Sequence, residues 1–146
     1  MPQNPPANMP RIAANIYYDD LAAALEWLAK SFGFETRMSI PAEGGGIMHA
    51  EMTVADSMIM MSPAADNDAW QSPSSIGGAT TMSLYIYVDD VDAHCAKARS
   101  SGADVVSELE EMFWGDRTYV VRDLEGHRWT FAQAVSDPPE NMGPPA

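Results

Sequence analysis

Apolar positions fall into step with strand and then helix geometry at two places seventy residues apart. Over residues 81–88, Met82, Leu84, Ile86 and Val88 share one face and Ser83, Tyr85 and Tyr87 the other. That period of two marks a strand with one buried side. Asp89-Asp90 ends the strand and offers a carboxylate to the unpaired amides of a first helical turn. Val91, Cys95 and Ala98 then recur at i, i+4, i+7, one stripe of a helix over 91–101, and Gly102 suits a left-handed end. The earlier copy puts Ile12, Ala14, Ile16 and Tyr18 against Ala13, Asn15 and Tyr17, followed by Asp19-Asp20, the stripe Leu21, Leu25, Leu28, and Gly33. Superposing Asp20 on Asp90 lays one stripe on the other and leaves the glycines one residue apart. Asp-Asp before one helix would be ordinary capping; a matched cap, stripe and glycine occurring twice reads as a duplicated unit.

The remaining segments complete each copy. Residues 34–40 and 57–62 read as strands, and 47–54 alternates with Met48, Ala50, Met52 and Val54 on the apolar side and His49, Glu51 and Thr53 on the other. Residues 41–46 form a glycine-rich turn. In the second copy, 104–112, 117–122 and 127–134 read as strands, with tight turns at 113–116 and 123–126. The chain therefore divides into a proline-rich N-terminal tail at 1–11, a first βαβββ module at 12–62, a Pro, Asp, Ser and Gly linker carrying Trp70 at 63–80, a second βαβββ module at 81–135, and a second proline-rich tail at 136–146.

Composition narrows the partners. With 21 acidic and 8 basic side chains the net charge is −13, which repels phosphate backbones and anionic lipid, so neither nucleic acid nor membrane is an expected partner. Cys95 is the one cysteine and sits on the helix stripe, where a buried hydrophobe is the expected role. No signal peptide or membrane-length apolar run is read, and the cytoplasm is the expected compartment. The apolar 46% is enough for a core, and eleven methionines suit irregular apolar cavities.

Several runs together resemble the vicinal oxygen chelate superfamily of glyoxalases, bleomycin-resistance proteins and extradiol dioxygenases. They are Tyr87-Val88-Asp89-Asp90-Val91-Asp92-Ala93, the stretch from Ala98 to Ala103, Trp114-Gly115-Asp116-Arg117, and Asp123-Leu124-Glu125-Gly126-His127-Arg128-Trp129. Met48-His49-Ala50-Glu51-Met52 looks like the PhnB-like branch. The resemblance spans about residues 12–134. It implies an α+β fold in which two tandem βαβββ modules form curved mixed sheets around a pocket, with each helix on a convex face. It also implies pairing of modules across chains, and a homodimer is the commonest assembly of soluble proteins.

The metalloenzymes of that family hold a divalent ion with His, Glu or Gln on the first and last strands of each module. Carried over, those positions are Ala13, Met58 or Met60, Ser83 and Thr130. Divalent sites need carboxylates or imidazoles, so no metal ligand and no cofactor are expected, a divalent metal being the alternative. Two function classes stay open. The first is a bleomycin-resistance-like protein binding a small aromatic or cationic molecule. Its candidate contacts are Asn15, Tyr17, Met60, Ser83, Tyr85, Trp114, Arg117, Tyr119 and Thr130, since rings stack and acidic surface draws cations. The second is a lyase, isomerase or dioxygenase, metal-dependent or built on His49 and Glu51, neighbours on one strand face that could act as base and orienter or equally form a surface ion pair. Arg117 could clamp a carboxylate or pair with Asp116 or Asp123. His127 reads as a turn or surface residue, and His94 has no assigned role.

Overall fold

Two copies of one βαβββ unit make up the chain. The structure is a computed structural model that describes residues 1–65 and 68–142; part of the linker (66–67) and the end of the C-terminal tail (143–146) lie outside the described residues. The first module runs β1 (Asn15–Tyr18), α1 (Leu21–Phe32), β2 (Glu35–Pro41), β3 (Ile47–Val54) and β4 (Ser57–Pro63). The second runs β5 (Leu84–Tyr87), α2 (Val91–Ser100), β6 (Asp104–Glu111), β7 (Asp116–Arg122) and β8 (Arg128–Ala134). The sheets have the orders β1-β4-β3-β2 and β5-β8-β7-β6. Each pairs its first and last strands in parallel and the others antiparallel, so the expected mixed α+β architecture is present twice. No helix is long and apolar enough to cross a membrane among the described residues.

The capping chemistry repeats with the sequence. Asp20 accepts from the Ala23 amide and Asp90 from the Ala93 amide, each at 3.0 Å, satisfying a donor that has no partner within the helix. Gly33 ends α1 at φ 76°, where a side chain would strain. Helix α2 instead ends through Ser101 in right-handed conformation, and Gly102 follows at φ 90°. Strands β1 and β5 are shorter than their alternation suggests: 12–14 and 81–83 lie outside the paired strands, apart from the Ala14 carbonyl, which accepts the Met60 amide of β4 at 2.8 Å. Met82 consequently lies exposed, outside the helix-facing row where its parity would place it. The linker is not featureless: Pro73–Ile76 forms a 3₁₀ turn.

One core serves both modules. Leu25 and Leu28 on α1, Val91 and Cys95 on α2, Ala50, Met52 and Met61 on the first sheet, and Tyr119, Val121 and Phe131 on the second all belong to it. The helices pack against each other, and no strand of one sheet comes within 8 Å of the other sheet, Cα to Cα. His94 on α2 sits at this junction. Its Nε2 donates to the Phe32 carbonyl at 3.0 Å, so its Nδ1 accepts the Tyr119 hydroxyl at 2.6 Å. Burial lowers the His94 pKa from its ordinary 6.5, against the pull of the Phe32 carbonyl and with some help from Lys97. The unfolded chain therefore takes up this proton first, and stability falls as pH drops below about 6.5. His94→Gln is expected to flatten the slope of unfolding free energy between about pH 7 and about pH 5 relative to the parent chain; parallel slopes in urea titrations would refute this.

A second junction breaks the symmetry of the repeat. The β7–β8 turn carries Asp123 and Glu125, both buried. Glu125 accepts the Asp19 and Asp20 amides at 2.7 and 2.9 Å, which fixes the start of α1 from the opposite module. Asp123 accepts the Tyr18 hydroxyl at 2.6 Å and the Trp129 indole at 3.0 Å. By strand register Asp123 matches Val54 of the first module, whose β3–β4 turn is shorter, the two residues Ala55-Asp56. That turn borders an open cleft beside β5.

Candidate functional site

The strand register decides which side chains leave the core. Tyr85 lies opposite Thr130, Thr130 opposite Val120, and Asp116 opposite Ala134. With Tyr87, these residues share the face of the second sheet that points away from the helices. On that face Asp116 gathers three donors at one oxygen. Its Oδ2 accepts the Tyr85 hydroxyl at 2.6 Å, the Tyr87 hydroxyl at 2.8 Å and the Trp114 indole at 3.2 Å. Burial alone would push this carboxyl up, but the hydrogen bonds from Tyr85, Tyr87 and Trp114 outweigh it and hold the pKa below the usual range. Burial and the bond to Asp116 push Tyr85 up to about 12, against the pull of the Trp114 indole. Tyr87 is raised mainly by its bond to Asp116. The cluster is thus one fixed negative charge behind two neutral phenols at neutral pH.

Backbone geometry holds Trp114 there. Gly115 has φ 103°, and a Cβ on it would strike the Ser136 carbonyl oxygen. Its own carbonyl accepts the Val135 and Ser136 amides, so the segment after β8 is drawn across the turn. Glycine alone permits that approach.

The outward face of the first sheet carries a different set. His49 Nε2 is 3.0 Å from Glu51 Oε2, and Arg37 Nη1 donates to Glu51 Oε1 at 2.8 Å. The same guanidinium lies 2.9 Å from the Met9 sulfur and 3.5 Å from that of Met58, so the N-terminal segment reaches this face. The β2–β3 register shifts between Thr36 and Met38, and Arg37 is the extra residue of that bulge. A bulge re-aims a side chain in a way strict alternation does not foresee, which is why Arg37 is invisible to sequence parity.

Two clefts lie between the edge strands β1 and β5. One, of about 400 Å³, runs under the linker past Asn15, Tyr17, Ser83 and His127. There Trp70 stacks on Tyr17, ring centroids 4.9 Å apart and planes at 20°. His127 is no bare surface residue, since its Nε2 donates to the Tyr17 carbonyl at 2.7 Å. The other cleft, of about 750 Å³, is bordered by Ala13, Asn15, Met58, Met82, Tyr85 and Tyr87. It opens where the clasp of the second module has no counterpart, and the two tyrosines of the Asp116 cluster, Tyr85 and Tyr87, form part of its wall.

The structure separates the sequence candidates into three groups. Tyr85, Trp114 and Thr130 lie together on the outward face of the second sheet. Asn15, Tyr17 and Ser83 border the clefts, with Asn15 accepting from Ser62 at 2.9 Å, and Met60 sits beside Glu51 and Asn15 on the first sheet. Tyr119 and Arg117 must be reassigned. Strand β7 begins at Asp116, so its odd positions turn toward the helices. Tyr119 is fully buried and stacked on Phe131, and burial raises its pKa. Arg117 forms a two-pronged bond with Asp92 at 2.9 and 3.0 Å, in place of a ligand, Asp116 or Asp123. Asp116 is not among the sequence candidates. The alternation of 81–88 did put Tyr87 on the Tyr85 face, but nothing in the sequence placed Asp116 beneath both.

The positions that the resemblance gives to a divalent ion do not fit one here. Ala13, Met58, Met60, Ser83 and Thr130 offer methyl, thioether and hydroxyl groups, none a carboxylate or imidazole. Among the described residues no group of three or more His, Cys, Asp or Glu side chains is arranged to hold a metal.

Comparison with known proteins agrees with this fold. The family model described as Glyoxalase/Bleomycin resistance protein/Dioxygenase superfamily matches residues 9–131. An uncharacterized protein of Mycobacterium bovis is 32% identical over 131 residues, covering 88% of this chain and 86% of that protein. The crystal structure of TioX from Micromonospora sp. ML1 is 32% identical, with a TM-score of 0.71 over 86% of this chain and 99% of that one. A PhnB protein from Bacillus cereus shares the fold at 14% identity, with a TM-score of 0.63 over 86% and 100% of the two chains. With the family model spanning most of the chain and both βαβββ repeats in place, the protein belongs to the glyoxalase/bleomycin resistance protein/dioxygenase superfamily.

Proposed function

We propose that this chain binds a small aromatic or cationic molecule, in the manner of the bleomycin-resistance members of its superfamily, without a divalent metal. The observation that carries the reading is the exposed aromatic wall on the second sheet. Tyr85 and Tyr87 are 44% and 60% exposed, and Phe113 beside Trp114 is 76% exposed. Large rings left in water on one face, next to a cleft of about 750 Å³, suit a binding site better than a core. The donor set at the superfamily's metal positions supports metal-free action. We further place the chain near the PhnB-like branch, on its His49-Ala50-Glu51 run.

A homodimer belongs to the same reading. The outward faces of the two sheets point away from their shared helical core, so neither closes over the other within one chain, and a second copy would supply the opposing wall. An alternative enzyme reading, a lyase, isomerase or dioxygenase, draws on the 3.0 Å approach of His49 to Glu51. Against it, Arg37 already occupies the other oxygen of that carboxylate.

The test is metal content by mass spectrometry on protein purified without chelator, before and after incubation with nickel, zinc, manganese and iron(II), followed by thermal-shift measurement with neutral and charged aromatic compounds. Retained metal near zero together with stabilisation by such compounds is expected. Stoichiometric metal that disappears in His49→Ala or Glu51→Ala would overturn the proposal in favour of the enzyme reading.

A further inference from the structure

We propose that Tyr85, Tyr87 and Trp114, gathered around the buried carboxylate of Asp116, form a receptor for an organic cation of the alkylammonium class at the wall of the larger cleft. The inference rests on the binding-protein reading above and names the chemistry of its ligand.

Three alternatives for this cluster fail on its geometry. A purely structural knot would bury its rings, yet the two tyrosines remain about half exposed while the carboxylate they surround is only 5% exposed. A hard metal ion needs several oxygen ligands at once; here one oxygen of the carboxylate already takes three hydrogen bonds, and among the described residues no group of three or more His, Cys, Asp or Glu side chains is arranged to hold a metal. An acid–base centre needs a group that exchanges a proton near neutrality. Asp116 is held ionised and both tyrosines are held protonated, so the cluster keeps its charge unchanged.

What remains is a fixed negative charge presented through aromatic rings. Ring faces attract diffuse, weakly hydrated cations. Phenols that donate to a carboxylate carry more electron density in their rings, which strengthens that attraction. The Tyr85 and Tyr87 rings stand 5.6 Å apart at 65°, and Phe113 meets Trp114 edge-on at 5.0 Å, so ring surfaces face more than one direction around the anion. No Lys, Arg or His forms an ion pair with Asp116 among the described residues; the neighbouring Arg117 is turned to the other face and held by Asp92. The charge is thus left for a ligand, and the net −13 of the chain draws cations toward it.

The experiment compares choline with 3,3-dimethyl-1-butanol, its uncharged isostere, by tryptophan fluorescence and calorimetric titration, with neutral quinoline in parallel. The parent chain is expected to bind choline about tenfold more tightly than the alcohol. Asp116→Asn, which keeps size and one acceptor, should bring that ratio to within about twofold, and Tyr87→Leu, which keeps the carboxylate but removes a ring, should lower choline affinity by about fivefold. Equal affinity for choline and the alcohol, with quinoline still bound, would overturn the cation receptor and leave the binding-protein reading standing. Binding of none of the three would overturn both. An unchanged ratio in folded Asp116→Asn would also overturn the inference, since the charge would then lie elsewhere.

Discussion

Replacing Asp123 by alanine lowers the unfolding free energy by about 3–5 kcal/mol, measured by urea denaturation followed by circular dichroism. The loss comes from donors, not from packing. Oδ2 of Asp123 takes the Tyr18 hydroxyl and the Trp129 indole, and Oδ1 takes the Glu125 and His127 amides, both at 3.0 Å. Tyr18 is fully buried and Trp129 is 1% exposed, so water cannot replace the lost acceptor. Each stranded buried donor costs about 1–3 kcal/mol, though relaxation keeps the sum below simple addition. The phenol itself reports the contact: burial first, then the charge and hydrogen bond of Asp123, push the Tyr18 pKa far above 10.0. Asp123→Asn separates acceptor loss from volume loss. Its amide nitrogen would face either Tyr18 and Trp129 or the two backbone amides, and it cannot accept from either pair. Asparagine is therefore expected to be nearly as damaging as alanine. A loss below about 1 kcal/mol in both variants would mean that the turn does not hold the modules together.

The consequence reaches the ligand site through the asymmetry of the repeat. In the second module the turn spends its two carboxylates on the first module, at Tyr18, Asp19 and Asp20. In the first module the shorter turn, Ala55-Asp56 after Val54, makes no such clasp among the described residues and leaves the larger cleft beside β5. One junction is thus sealed by buried charge while its pseudo-symmetric mate stays open. The clasp carboxylates and the Asp116 cluster both belong to the second module, so one module carries the sealed junction and also the tyrosines that border the open one.

The repeat was legible because its signals are local. An aspartate cap, a helical stripe and a glycine lie within about one helix length, and each acts through its own backbone. Element order and the two-module α+β architecture followed from these. Residues whose role depends on register or on a bulge were not legible. Tyr119 reads as a ligand contact in the sequence because periodicity alone gives alternation without saying which parity faces the helix. Arg37 gave no signal, since only the bulge in β2 brings it to Glu51. The clasp carboxylates lie within a run that the family resemblance had already singled out, but their partners at Tyr18 to Asp20 are more than a hundred residues away. Asp116 likewise stands in a motif that carries no sign of its partners; the two tyrosines it orders lie 31 and 29 residues earlier, on a strand that β8 separates from β7. Long-range polar contacts of this kind have no short-range sequence period to betray them.

Phe32→Ala is expected to cost a further about 3–5 kcal/mol, the range for emptying a buried aromatic site. Phe32 closes α1 and is 4% exposed, yet most of its ring neighbours belong to the other module. It meets Phe131 at 4.8 Å, Trp129 at 5.8 Å and His94 at 5.9 Å, as well as Trp27 at 5.0 Å and Phe34 at 5.6 Å. The space it leaves lies between two sheets and a helix of fixed lengths, so it collapses poorly. If this packing makes the chain one cooperative unit, Phe32→Ala moves a single unfolding transition to lower urea with unchanged slope, and Phe32→Leu recovers more than half of the loss. Two separated transitions would show instead that the modules fold independently and that the shared core contributes little. The outward face should respond differently. Phe131 packs on Phe32 from one side of β8, while Thr130 and Ala132 beside it face the Asp116 cluster. The hydrogen-bonded register of β5, β8 and β7 is what places Tyr85 and Tyr87 on that carboxylate, and deleting a ring from the opposite side leaves this register intact. The ratio of choline to 3,3-dimethyl-1-butanol affinity should therefore survive in Phe32→Ala, measured where the variant remains folded. Loss of the ratio in a folded variant would couple the receptor to the helical core and replace a rigid sheet face with one that the core must hold in tension.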